Sequence, residues 1–478
     1  MNASIYRLFA LVLVLLAAVI GFTSYWSVID AENLRDNPEN RRLLLEEAQI
    51  ERGTITTSDG ELVAESQPQQ RGEQQFFERT YPLGDLLGHP VGYYFLDRGR
   101  SGIELSLDDV LAGRKAEFVS IIEQLEGTAQ AGSDVTLTID ADAQRTAYEA
   151  LGGQIGAVVA IEPATGAVRV MASNPPYDPN TVNDSAGFQA LNKAEDSPLL
   201  NRVTQSRYQP GSAMKVVTAA AALDSGEFTP DSTVNGDSGV PISGVPLENF
   251  GGESFGEITL TDALTNSVNT VWAQVAEDLG TDTMYEYMDR FGFNDTPPLD
   301  YPPHQMRPSG VYEGDNLLNA GATIDIGRVA IGQERLQVTP LQMAMVASAV
   351  GNGGKLMKPT FVQSVTDSEG RTTDELNPDE ESTVISEETA ATLADMMSNV
   401  VEEGTGTAAA LSGIDVAGKT GTAEIDVDAG VNQAWFIGFA PVEDPQVAIA
   451  VTVERTSGTG GEVAGPIAQQ VMQVLTDQ

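Results

Sequence analysis

Ser212-Ala213-Met214-Lys215 follows directly on Gln209-Pro210-Gly211, and this junction constrains the fold more than any other stretch of the chain. Proline and glycine interrupt a helix, whereas the alanine- and valine-rich run behind them builds one. The pattern predicts a helix over 213–224 with Ser212 at its N-terminus. There the Ser212 N–H lacks an intrahelical partner and can face a developing oxyanion. Lys215, three residues on, returns to the same face. A lysine so placed can take the serine proton if it is neutral, and burial or a second nearby cation favours the neutral form. The chain has six lysines, and Lys215 alone has a serine three residues before it.

Two further motifs follow in order. Ser267-Val268-Asn269 begins 55 residues after Ser212, behind a short helical pattern over 260–264. A second hydroxyl near Lys215 can relay a proton to a leaving amine, and an asparagine amide can both donate to and accept from a substrate amide. Lys419-Thr420-Gly421-Thr422 begins 152 residues after Ser267, inside a strand-like stretch over 416–424. Lys419 supplies positive charge and Thr420 and Thr422 supply hydroxyls, a set suited to a carboxylate. Gly421 lets a substrate backbone approach the strand, and the Thr422 N–H is a candidate second oxyanion donor. Serine and lysine together provide nucleophile and base with no histidine.

That last point matters, because the chain has no cysteine and two histidines far apart in sequence, His89 and His304. Thiolate chemistry, disulfides and cysteine-based metal sites are excluded, and no metal or cofactor is expected. With 69 acidic and 26 basic residues among 478, the net charge is −43. Phosphate backbones would be repelled, so nucleic acid is not an expected partner. An acidic, lysine-poor surface also suits concentrated salt, which screens self-repulsion.

Residues 8–29 form an apolar segment long enough to span a bilayer, with Arg7 before it and Tyr25 and Trp26 near its far end. We expect an uncleaved single-pass membrane anchor behind a short cytoplasmic tail (1–7), with the rest of the chain extracytoplasmic. Residues 30–130 are polar and irregular. A strand-like start at Arg52-Gly53-Thr54-Ile55 is followed by a turn at Ser58-Asp59-Gly60 and by Leu62-Val63-Ala64. A second domain is expected over 134–478. It opens with a strand over 135–139, a helix capped by Asp140, and a hairpin joining 156–161 to 167–172. Strands over 433–441 and 446–453 and a final helix over 465–475 close it. Helical patterns at 213–224, 340–351 and 388–402 fill the middle, and the acidic stretch 366–381 reads as a surface loop. Strands at both ends around a helical middle predict an α+β domain: an antiparallel sheet flanked by helices, with an all-helical subdomain.

With these motifs in place, the chain resembles the class B penicillin-binding proteins, membrane-anchored peptidoglycan D,D-transpeptidases. Their signature is S-x-x-K, S-x-N and K-T-G in this order; the pattern shared with class A β-lactamases has Asp where Val268 stands here. Tyr208-Gln209-Pro210-Gly211-Ser212, Ala330-Ile331-Gly332-Gln333, Val338-Thr339-Pro340-Leu341-Gln342, Gly404-Thr405-Gly406-Thr407-Ala408 and Ala417-Gly418-Lys419-Thr420-Gly421-Thr422 carry the likeness. Arg52-Gly53-Thr54-Ile55 and Gly102-Ile103-Glu104 resemble motifs of the family's N-terminal pedestal, or dimerisation-like, domain. The pattern is closest to the actinobacterial branch without C-terminal PASTA repeats. The resemblance implies a penicillin-binding/serine β-lactamase-like transpeptidase fold behind the anchor and pedestal. It also implies roles: Ser212 attacks the D-Ala-D-Ala carbonyl of a stem peptide, and Lys215 is its base. Ser267 relays a proton, Asn269 contacts Lys215 and the substrate amide, and Lys419, Thr420 and Thr422 hold the terminal carboxylate. β-Lactam antibiotics are expected to acylate Ser212, and a SEDS-type glycosyltransferase is the expected partner. D,D-carboxypeptidase or endopeptidase, serine β-lactamase, and β-lactam sensor or scaffold are the rival readings.

Overall fold

The computed structural model describes residues 2–26, 47–72, 74–114, 131–319, 321–426 and 429–477. The end of the expected anchor (27–29) and much of the expected pedestal (30–46 and 115–130) lie outside the described residues.

Asn2–Ser24 is one apolar helix, and its described side chains are exposed rather than packed on the protein. Among the described residues it is the single helix long and apolar enough to cross a membrane, which fits an anchor.

A six-stranded sheet follows, in the order Thr372–Glu375, Val362–Thr366, Asp134–Leu137, Ile55–Thr56, Leu62–Arg71, Gln74–Thr80. Asp134–Leu137 runs parallel to Ile55–Thr56, and the other pairs are antiparallel. Two strands from the C-terminal half therefore complete a sheet that begins near residue 55. The stretch 366–381 is not simply a loop: Thr372–Glu375 pairs with Val362–Thr366 at the sheet edge, and Glu380–Thr383 pairs with Lys355–Met357. Thr372–Glu375 is exposed on both faces, so no apolar alternation marked it as a strand.

The motifs at Arg52 and Glu104 meet in a buried ion cluster. Arg52 binds Glu104 Oε2 at 2.8 Å and Asp108 Oδ1 at 2.6 Å, and Arg79 binds Glu104 Oε1 at 2.6 Å. Arg52 also lies 4.0 Å over the Tyr94 ring. Burial alone would raise the Glu104 pKa, but the Arg79 and Arg52 guanidiniums hold it below the ordinary carboxylate value. Removing one member of a buried ion cluster strands the others. Glu104→Gln is therefore expected to destabilise the N-terminal region by about 3–5 kcal/mol. A fall in the calorimetric midpoint, with earlier proteolysis between residues 47 and 135, would show it. An unchanged midpoint would mean that the arginines find other partners.

The second sheet is five-stranded and antiparallel, in the order Ala417–Asp426, Val431–Ala440, Val447–Thr456, Gly156–Ile161, Val168–Asn174. Ala141–Leu151 and Gly465–Thr476 pack on one face, sharing a core of Ala143, Ala147, Leu151, Val471 and Met472. The Asp140 carboxylate accepts from the Ala143 N–H at 2.8 Å, as expected of a helix cap. Pro340–Gly351 covers the other face and is buried along its length except at Gly351. Leu260–Thr265, Asn269–Arg290 and Glu387–Glu402 gather around Lys215–Asp224 as the helical part. Ala417–Asp426, an edge strand, faces this helical part, and the first and third motifs meet along that seam.

Candidate active site

The expected helix starts later than its composition predicted. Gly211–Met214 forms a 3₁₀ turn and the α-helix proper runs Lys215–Asp224. Ser212 thus sits in the tight turn that leads into the helix. Gly211 has φ +52°, and its N–H donates to Gly332 O at 3.1 Å. A Cβ on Gly332 would fall 1.9 Å from Gly211 O, so no larger residue fits there. On the other side, a Cβ on Gly421 would lie 2.4 Å from Pro210 O and 3.1 Å from Ala213 N. Both glycines let backbone close on the nucleophile turn, and at Gly421 that turn fills the space above Cα.

The approach to Ser212 is fixed residue by residue. Tyr208 and Val338 exchange both backbone hydrogen bonds, at 2.9 and 2.8 Å. The Tyr208 hydroxyl donates to Glu454 Oε1 at 2.6 Å, which also accepts from Arg202 Nε at 2.9 Å. Trp435 Nε1 donates to Gln209 O at 3.0 Å. Glu454, Arg202 and Trp435 were not found as site residues from sequence. Glu454 and Trp435 stand on strands far from Tyr208 in sequence, and Arg202, in the same irregular stretch as Tyr208, belongs to no motif that marks it.

Around Ser267 the three motifs converge. Lys215 Nζ lies 2.7 Å from Ser267 O, 2.7 Å from Asn269 Oδ1 and 3.3 Å from Ser267 Oγ. Lys419 Nζ lies 2.9 Å from Ser267 Oγ and 3.0 Å from Thr420 O. Both lysines are fully buried. Burial, and then the charge of Lys419, hold the Lys215 amine well below the ordinary lysine value. Burial brings Lys419 down to about 7. A neutral amine has two N–H bonds and one lone pair. At Lys215 the two shortest contacts use both donors, which leaves the lone pair as an acceptor. Ser267 Oγ lies within hydrogen-bond distance of both lysine amines, placed to carry a proton from a protonated Lys215 to a leaving amine. Ser267 holds φ +59°, a left-handed conformation uncommon outside glycine and informative at a reactive site. Among the described residues the Ser212 hydroxyl has no hydrogen-bond partner, so the resting site leaves it free for a substrate.

Thr420 and Thr422 project from the same strand. Thr420 Oγ1 lies 2.6 Å from Thr405 Oγ1, and Thr422 Oγ1 accepts from the Gly460 N–H at 3.0 Å. Asn269 Nδ2 donates to Glu248 O at 3.2 Å. The histidines are elsewhere: buried His89 faces Pro175 O at 3.4 Å and is held down to about 4 by burial. His304 lies in the 3₁₀ turn Pro303–Gln305. Among the described residues no group of acidic and histidine side chains is arranged to hold a metal.

Comparison with known proteins places the chain among its relatives. Residues 156–473 match the profile of the penicillin binding protein transpeptidase domain, and residues 52–135 that of the penicillin binding protein A dimerisation domain. The peptidoglycan D,D-transpeptidase PbpA of Mycolicibacterium smegmatis is 35% identical over 98% of both chains. Its namesake in Mycobacterium tuberculosis is 32% identical over 99% of both. Among solved structures, the penicillin G acyl-enzyme complex of M. tuberculosis penicillin-binding protein A superposes with a TM-score of 0.78 at 30% identity. It covers 90% of this chain and 100% of that one. The D,D-transpeptidase domain of an Eggerthella lenta peptidoglycan glycosyltransferase gives a TM-score of 0.78 at 35% identity, over 90% and 99%.

Proposed function

Because the chain belongs to the class B penicillin-binding proteins, we propose that Ser212 is the nucleophile of a peptidoglycan D,D-transpeptidase. The enzyme is a serine acyltransferase of cell-wall synthesis. Ser212 attacks the penultimate D-alanine carbonyl, the terminal D-alanine leaves, and the acyl-enzyme passes to an amine of a neighbouring stem peptide. Lys215 is the base. Ser267 carries the proton toward the leaving amine. Asn269 holds Lys215 and the substrate amide. Lys419, Thr420, Gly421 and Thr422 form the wall that receives the terminal carboxylate, and the Ser212 and Thr422 N–H groups receive the oxyanion. β-Lactams acylate the same serine.

The observation that carries this reading is the buried Lys215 amine, 2.7 Å from both Ser267 O and Asn269 Oδ1 and shifted toward its neutral form. Offered a stem-peptide donor and an excess of acceptor amine, the enzyme is expected to yield mainly cross-linked dimer. Release of D-alanine with only hydrolysed donor would move the assignment to a carboxypeptidase.

Tail 1–7, anchor 8–29, pedestal 30–130 and transpeptidase domain 134–478 remain our proposed division, with the catalytic domain outside the membrane. The apolar Asn2–Ser24 helix and the matched dimerisation profile support it. A SEDS-type glycosyltransferase is the proposed partner through anchor and pedestal. Co-purification from membranes should persist in Ser212→Ala and disappear when 8–29 is exchanged for an unrelated span; survival of the complex after that exchange would remove the anchor from the interface.

A further inference from the structure

The Gly404-Thr405-Gly406 segment has no part in the chemistry so far, yet it reaches the carboxylate wall. Thr405 Oγ1 lies 2.6 Å from Thr420 Oγ1, a normal separation for O–H···O. The segment is held close by backbone. A Cβ on Gly404 would fall 2.5 Å from Thr265 O, and one on Gly461 would fall 2.4 Å from Thr405 O. Gly406 N donates to Val400 O at 2.9 Å. Thr420 is buried, whereas Thr405 is exposed.

Each hydroxyl has one proton to give. At Thr422 the direction is fixed, because the Gly460 N–H can only donate. Thr422 Oγ1 therefore accepts and keeps its own proton for the cleft. At Thr420 either hydroxyl can be the donor in the empty site. A carboxylate has no proton to give, so it binds Thr420 only by accepting a hydrogen bond from that hydroxyl. The bond between the threonines then survives only if Thr405 donates. We propose that Thr405 is a positioning residue that fixes Thr420 as a donor to the substrate carboxylate, so that both threonines of the wall present protons to one anion. This deepens the transpeptidase reading and rests on Thr420 and Thr422 receiving that carboxylate.

The test compares benzylpenicillin with its methyl ester, which lacks the anion. Thr405→Val keeps the shape and removes the hydroxyl. It is expected to slow acylation by benzylpenicillin about tenfold and to leave the ester rate unchanged, since Thr420 loses the partner that orients and polarises its hydroxyl, and only the acid depends on that hydroxyl's charge-assisted bond. Thr405→Ser restores the wild-type preference. Thermal midpoints of the variants are read alongside, and Thr405→Ala serves as a second deletion of the hydroxyl. An unchanged preference for acid over ester in both Thr405→Val and Thr405→Ala would overturn the proposal, as would an equal loss on acid and ester. Failure of the nucleophile assignment is a separate result: there Ser212→Ala would still be acylated, whatever Thr405 does.

Discussion

Ser212→Ala is expected to give a folded protein that a fluorescent penicillin does not label. The substitution removes a hydroxyl that has no hydrogen-bond partner among the described residues, so no buried donor or acceptor is orphaned. The backbone of the turn is held by Gly332 and Gly421 and not by the serine side chain. The thermal midpoint should therefore stay with the wild type, within the roughly 0.5 kcal/mol typical of such surface changes. Acylation has no second route. The other hydroxyl in the cluster, Ser267 Oγ, is engaged by both lysines and sits on a residue fixed at φ +59°. Loss of a serine nucleophile removes on the order of 10⁶ in rate, far below detection in a gel assay. Stoichiometric labelling of the variant, or none of the wild type, would sink the assignment.

Local chemistry made some elements legible in advance, and long-range pairing hid others. Thr339 caps Pro340–Gly351 and proline occupies its first turn, so both start signals lie within two residues. The strands Gly156–Ile161 and Val168–Asn174 announced themselves by β-rich arms around a turn. The nucleophile turn was readable because Pro210-Gly211 cannot continue a helix. The glycine of Ala330-Ile331-Gly332-Gln333 was visible as a motif, but its reason lies in Gly211, which packs against it from 121 residues earlier in the chain. Similarly, Glu454 is an ordinary acidic residue on a strand until Tyr208 and Arg202 reach it. The pairing of Asp134–Leu137 with Ile55–Thr56 and Val362–Thr366 could not be seen either, because alternation reports that a strand exists and not whom it joins. Ser267 gave no warning of its left-handed backbone, since S-x-N is common in loops.

Lys215→Met is expected to bind β-lactams and acylate with them at about 10⁻² to 10⁻⁴ of the wild-type rate, the range contributed by a positioned general base. Methionine resembles lysine in length and suits a site with no exposure. The folding balance has two opposed parts: an amine no longer has to be buried, while Ser267 O and Asn269 Oδ1 lose their donor. The thermal midpoint should move little compared with the rate. The pH profile separates base from scaffold. Lys215 works in its neutral form, which its lowered pKa keeps populated far below pH 10.5 and which is lost as pH falls through that pKa. Lys419 titrates near 7, and its charge opposes protonation of Lys215. Lowering pH through 7 should therefore tighten capture of the carboxylate by Lys419. The maximal acylation rate should collapse in the wild type as pH falls through the Lys215 pKa, and the residual rate of Lys215→Met should show no such acid limb. A Met variant within tenfold of the wild-type rate, or an acid limb that persists in that variant, would move the base function away from Lys215.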